Sequence, residues 1–298
     1  MLDPHDALRS IGSRAADLVS AIPADPNRRS PSWLERKELR EAPRLGRIRA
    51  ELVDLLETDT RLMTAYSILL LSGVADCVEI AATRNNELNI PTLSAAVRPL
   101  VETCGQIAWL LDGTIDAEER VRRYLIWRFS DLRAQRLIVS AAVRDLSEAA
   151  DAMAELDATE AELLELVDRA GWRAAATVTR AGGDVIAAAL LDSDERRLPM
   201  PKPGALAMLV TSEPLAYALL SAPTHGARWG VVHSARLEAT EGSDVGRPLK
   251  MTGMGMDPNL AIVLAVGAIN QTGTYLGARH LVDDGPLRRD IQALVKRL

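Results

Sequence analysis

The sequence predicts an all-α fold, a multi-helix bundle with no sheet, and three observations carry that expectation. Composition is the first. The 298 residues include 45 Ala and 43 Leu against 19 Gly, 15 Pro and only 3% aromatics, which is the vocabulary of helices rather than of sandwiches or barrels. Patterning is the second, because no segment of useful length alternates apolar and polar residues with period 2. Punctuation is the third, since capping residues and prolines recur at helix-length intervals along the chain.

Taken in order, a first helix is expected from about Asp3 to Ala21, ending at the loop of Pro23 and Pro26. Ser30-Pro31 is an N-cap followed by an N1 proline, and the helix it starts breaks near Pro43 and resumes to about Glu57. Thr58-Asp59-Thr60 offers caps for a long helix that ends at Arg84-Asn85-Asn86. Pro91 opens the next, with Pro99 as a bend or as its true start and Asp112-Gly113 as its end. Asp116 caps a very long helix through Arg136 and on toward Met153. Residues 157–170 and 172–191 form two further helices.

The stretch 191–204, LDSDERRLPMPKPG, carries three prolines and is the clearest internal crossover. Beyond it, 205–222 and 224–238 read as one apolar helix bent at Pro223. Residues 239–258 form a Gly-rich loop of a length typical of lids or of disordered segments. Helices 259–283 and 285–297 finish the chain. The organisation expected is an N-terminal helical arm, 1–57, and a helical bundle body, 58–298.

The formal charge is −6, which disfavours general binding of a phosphate backbone, because counterion release needs clustered cations. Two cysteines in so long a chain make neither a disulfide framework nor a zinc cluster. The N-terminus lacks the cationic and apolar regions of a signal peptide. The apolar run from Leu62 is broken by Asp76 and Glu79, so it falls short of the ~20 residues a spanning helix needs. A cytoplasmic protein without membrane contact, metal or cofactor is the expectation.

Three constellations stand out. In YALLSAPTHGARWGVVH, residues 217–233, Tyr217, Ser221, His225 and Arg228 fall at i, i+4, i+8 and i+11, one polar stripe on an apolar helix. His233 follows about 140° further round. Buried without partners, such groups would cost roughly 1–3 kcal/mol each, so they must meet something. Arg98 and Glu102 share the face of another apolar helix at i, i+4, in the order that makes the weaker local pair. They are therefore expected to look across to another helix, toward Tyr217 or His225. In residues 119–136, Arg122, Phe129, Arg133 and Arg136 share a face with Leu125, Ile126 and Leu132. Cations on an apolar arc meet neighbouring carboxylates, bind an anion, or lie in a dimer interface. For each constellation a purely structural role is the alternative. No phosphate loop, GxGxxG on a strand, HExxH or Glu-x-x-His pair is present.

The segments VRPLVETCGQIAWLLDGTIDAEERVRRYL (97–125) and YALLSAPTHGARWGV (217–231) resemble a family of uncharacterised helical proteins common in actinobacteria. Some of those are similar to the HEPN superfamily, whose members are helical bundles, often dimeric, and in many cases metal-independent ribonucleases of toxin or defence systems. The HEPN motif is an Arg and a His separated by four to six residues. Arg228-Trp-Gly-Val-Val-His233 meets that spacing, with Trp229 where a polar residue is common. The resemblance implies that Arg228 would polarise a scissile phosphate and that His233 or His225 would act as general base or acid.

Three functions follow from these readings. One is a polar inter-helix pocket that holds a small anionic ligand through Arg98, Glu102, Tyr217 and Ser221, with Arg122, Arg133 and Arg136 as further cations. The second is a HEPN-like ribonuclease acting on RNA through Arg228, His233 and His225. The third is a homodimeric interaction module without catalysis.

Overall fold

The computed structural model describes residues 55–56, 58–67, 69–70, 73–74, 76, 90–142, 146–175, 189–191, 197–211, 217, 220–221, 236–237, 251–252 and 271–272. The described residues of 59–111 and 202–298 form one compact unit, and those of 31–58 and 112–201 form a second. Both are mostly helical. No helix of the described residues is long and apolar enough to cross a membrane.

The first unit is built on helix α1, Ile90–Leu110. Pro91 stands in its first turn, where a missing N–H costs nothing. The helix continues through Pro99 rather than starting there, and the Thr103 hydroxyl donates to the Pro99 carbonyl at 2.8 Å. Two faces of α1 are covered. Val97, Leu100, Val101, Cys104 and Ile107 recur at helical spacing and are fully buried. A second face, Arg98, Glu102 and Gly105 at i, i+4 and i+7, meets helix α4, Pro203–Thr211.

The crossing of α1 and α4 is close. A Cβ built on Gly105 would stand 2.5 Å from the Leu206 carbonyl oxygen and 3.0 Å from Leu206 Cβ. Only hydrogen fits between the two backbones there. Leu206 and Ala207 are buried in return.

Helical residues within 58–76 also belong largely to this unit, and they bury hydroxyls. Thr60, Thr64 and Ser67, at i, i+4 and i+7, are all buried. Thr64 donates to the Thr60 carbonyl at 2.8 Å and shares a 2.7 Å hydrogen bond with Thr272. Ser67 donates to the Met63 carbonyl at 3.0 Å. The buried Thr64 and Ser67 hydroxyls thus avoid the cost of an unmade bond. On the other side, Leu62, Tyr66 and Leu69 are exposed.

The second unit pairs helices α2, Ala117–Ala142, and α3, Leu146–Arg169. The expected cap is present: the Glu119 amide donates to Asp116 Oδ1 at 2.7 Å. Asp112 closes the preceding turn by accepting from the Thr114 amide and hydroxyl at 2.9 and 2.7 Å. Partial burial works against its charge, but those bonds and the nearby Arg123 and Arg120 hold its carboxyl below the usual range. Val121, Tyr124, Leu125, Phe129 and Leu132 of α2 are buried, as are Leu156, Leu163, Leu166 and Val167 of α3. Each spacing is that of one helix face.

The helix expected from Asp116 through Arg136 is present but ends at Ala142 instead of continuing toward Met153, and the helix expected at 157–170 begins earlier, at Leu146. Its end is a Schellman motif. Gly171 has φ of 73°, its amide donates to the Asp168 carbonyl at 2.8 Å, and the Trp172 amide donates to Val167 at 3.0 Å.

A small sheet corrects the expectation of none. Strands β1, Arg173–Ala175, β2, Ala189–Leu191, and β3, Arg197–Pro199, pair antiparallel in that order. Their registers place Arg173 opposite Leu191 and Leu190 opposite Leu198. Residues 173–175 and 189–191 are therefore strand, not the ends of a helix over 172–191. Three residues show too little alternation to read, and Arg, Ala and Leu carry no strand preference of their own. Tertiary contact decides: Leu190 is fully buried, and Arg122 of α2 donates to its carbonyl at 3.1 Å. Pro199, without an N–H, sits on edge strand β3.

In the first unit, β4, Arg236–Leu237, pairs antiparallel with β5, Met251–Thr252. The last residues of the helix expected at 224–238 are thus strand, as is part of the expected loop 239–258. The arm 1–57, apart from helical residues 55–56, lies outside the described residues, as do helices 259–283 and 285–297 apart from helical residues 271–272.

Replacing Gly105 by Ala should destabilise the protein by about 1–3 kcal/mol, as overpacking of a close contact does. Denaturant unfolding measures this, and an unchanged midpoint would contradict the close crossing.

Candidate functional site

The second face of α1 carries a charged residue into a helix junction. Arg98 Nε donates to Glu102 Oε1 at 2.9 Å, and Arg98 Nη2 donates to the Tyr217 hydroxyl at 2.9 Å. The guanidinium carbon lies 5.2 Å from the centre of the Tyr217 ring, within cation–π range. Tyr217 stands over the first turn of α4: a Cβ on Gly204 would lie 3.7 Å from its Cδ1. The junction thus joins α1, the start of α4 and a helical residue beyond it.

The exposure of this group is intermediate. The Arg98 side chain is 20% exposed and that of Glu102 is 29%. Burial pulls the Arg98 pKa down, but the hydrogen bond and charge of Glu102, with the Tyr217 oxygen, outweigh it and raise the pKa. Arg98 stays cationic at any physiological pH. A half-exposed ion pair in this order along a helix is worth only about 0.2–0.5 kcal/mol. The pair is therefore weak support for stability, while the guanidinium it orients is fixed from two elements.

Of the residues singled out in the sequence, Arg98, Glu102 and Tyr217 come together. Ser221 is helical and half-buried, one turn after Tyr217. His225, Arg228 and His233 lie outside the described residues. The α2 cations belong to the second unit, where Arg122 and Arg136 have protein partners. Arg122 reaches the Leu190 carbonyl and lies 3.5 Å from Glu119. Arg136 spans from α2 to Asp157 at 2.6 Å and Glu160 at 2.5 Å on α3. Arg133 is exposed.

Sequence reasoning passed over two features. Arg120, 1% exposed, donates to the Asp112 carbonyl at 2.9 Å and ties the α2 start to the preceding turn. Gly105 completes the i, i+4, i+7 face of Arg98 and Glu102, and that spacing was the available signal. Cys104, buried beside this face, donates a weak bond to Ser67 Oγ at 3.9 Å. Burial pushes its thiol up to about 12, against a small opposing effect of Ser67. Among the described residues, no group of three or more His, Cys, Asp or Glu is placed to hold a metal ion.

No protein-family model matches the chain, and neither a curated protein nor a solved structure is significantly similar to it.

The thiolate is the reactive form of cysteine, so native protein treated with iodoacetamide at about pH 8 should keep Cys104 unmodified, with labelling appearing on denaturation. Peptide mass mapping checks this. Rapid native labelling would mean that Cys104 is neither buried nor held as a thiol.

Proposed function

We propose that the junction of Arg98, Glu102 and Tyr217 is a binding site for a small anionic ligand between helices. The observation that carries this reading is the Arg98 guanidinium itself: permanently cationic, one-fifth exposed, and oriented from both α1 and Tyr217. A guanidinium offers five donors in a rigid fork that suits carboxylate and phosphate oxygens. The Tyr217 hydroxyl accepts from Arg98 and keeps its own proton to donate to a bound oxygen. A few convergent polar groups between helices of a bundle make an ordinary ligand site.

Binding to the folded state alone raises stability by about 2.7 kcal/mol at a ligand concentration of 100 Kd. Inorganic phosphate or succinate should therefore raise the melting temperature of the wild-type chain, and Arg98→Ala should abolish the rise. An identical rise in Arg98→Ala, or none in wild type, overturns the reading. Cleavage of RNA that is lost in both Arg228→Ala and His233→Ala would move the function to the HEPN-like ribonuclease alternative.

One observation favours a second reading, a homodimeric interaction module. Leu62, Tyr66 and Leu69 are 67%, 48% and 68% exposed and share one helix face, a pattern associated with association surfaces. Sedimentation equilibrium should then show a dimer that Leu62→Glu with Leu69→Glu converts to monomer. A mass unchanged by the double substitution removes this support.

A further inference from the structure

The geometry points to Glu102 as an internal competitor for the anion site, a carboxylate of the chain that occupies Arg98 until a ligand displaces it. This inference rests on the anion-site reading above and adds to it how the site is kept closed. Glu102 already does what an incoming oxyanion would do: its Oε1 accepts from Arg98 Nε at 2.9 Å. The neighbouring donor, Nη2, goes to the Tyr217 hydroxyl at 2.9 Å.

Three features make the carboxylate displaceable. The pair is local, at i, i+4 on α1, and stands in the order along the helix that gives the weaker interaction. Both side chains retain solvent, 20% and 29% exposed, so a released Glu102 can be hydrated without a buried, unpaired charge being left behind. Tyr217 holds Arg98 independently, through the second nitrogen and the ring face, so the guanidinium keeps its place when Glu102 leaves. An oxyanion entering beside Glu102 meets a like charge at close range. At about 4 Å, even in water, that repulsion corresponds to roughly a fivefold change in an equilibrium constant.

The test is isothermal titration of the full chain with inorganic phosphate and, separately, with succinate, on wild type, Glu102→Gln, Glu102→Ala and Arg98→Ala. Glu102→Gln keeps the shape and removes the charge. Glu102→Ala removes the contact as well and serves if the first variant folds poorly. Both should bind at least one of the two probes about fivefold more tightly than wild type, while Arg98→Ala should bind neither. If Arg98→Ala loses binding but neither Glu102 variant gains it, Glu102 is a ligand-binding or scaffolding group, and the competitor inference falls with the anion site intact. If Arg98→Ala binds like wild type, or no chain binds either probe, the anion site itself fails and the inference goes with it.

Discussion

The close approach of α1 and α4 at Gly105 fixes what the rest of the first unit can do. Two helices ordinarily pack with axes 8–10 Å apart, depending on the side chains between them. Here the Leu206 backbone comes so near that no side chain fits at position 105. The contact turns the Gly105 side of α1 to α4, and Arg98 and Glu102 share that side of the helix at i, i+4 and i+7 spacing. Two residues before Leu206, Gly204 lies under the Tyr217 ring, where an added Cβ would make ordinary contact at 3.7 Å. A polar junction follows from a backbone contact: the glycine sets the crossing, the crossing turns Arg98 inward, and Tyr217 meets it there.

Helical residues 58–76 invert the usual arrangement, with hydroxyls inside and Leu62, Tyr66 and Leu69 outside. The inversion is affordable because Thr64 and Ser67 satisfy themselves on carbonyls one turn back, as such side chains do within helices. Small hydroxyl residues also leave space for neighbours, and Cys104 and Thr272 use it. Among the described residues of this segment, these hydroxyls are buried together with Met63 and Val74.

Much of this was legible in the sequence and some was not, for physical reasons. The helical character follows from composition and from face spacing that is strong over twenty or more residues, as in α1 and α2. The N-cap at Asp116 and the end of α1 near Asp112 could be read because caps are local chemistry. The meeting of Arg98 with Tyr217 had a signal too: a charged pair on an apolar face must find something. The three-stranded sheet had none, since strands of three residues rich in Ala and Leu are made by their partners. The division between α2 and α3 was likewise hidden, because residues 136–153 keep a helical vocabulary throughout.

The arginines of the two units show why composition alone could not locate a site. In α2, Arg120, Arg122 and Arg136 are used as ties. Each delivers its charge to a carbonyl or carboxylate on a different element, and their long apolar stems help fill the interface. Truncating Arg122 would leave the buried Leu190 carbonyl without its donor, which is a folding defect. Arg98 differs in kind. The Glu102 carboxylate that it meets sits on its own helix, contributes little to holding elements together, and remains open to water. A cation whose local partner is weak, but whose position is fixed by an aromatic residue from elsewhere in the chain, has its geometry set independently of its charge balance. That separation is what the proposed anion site needs: there the guanidinium would exchange one anion for another without the helices moving.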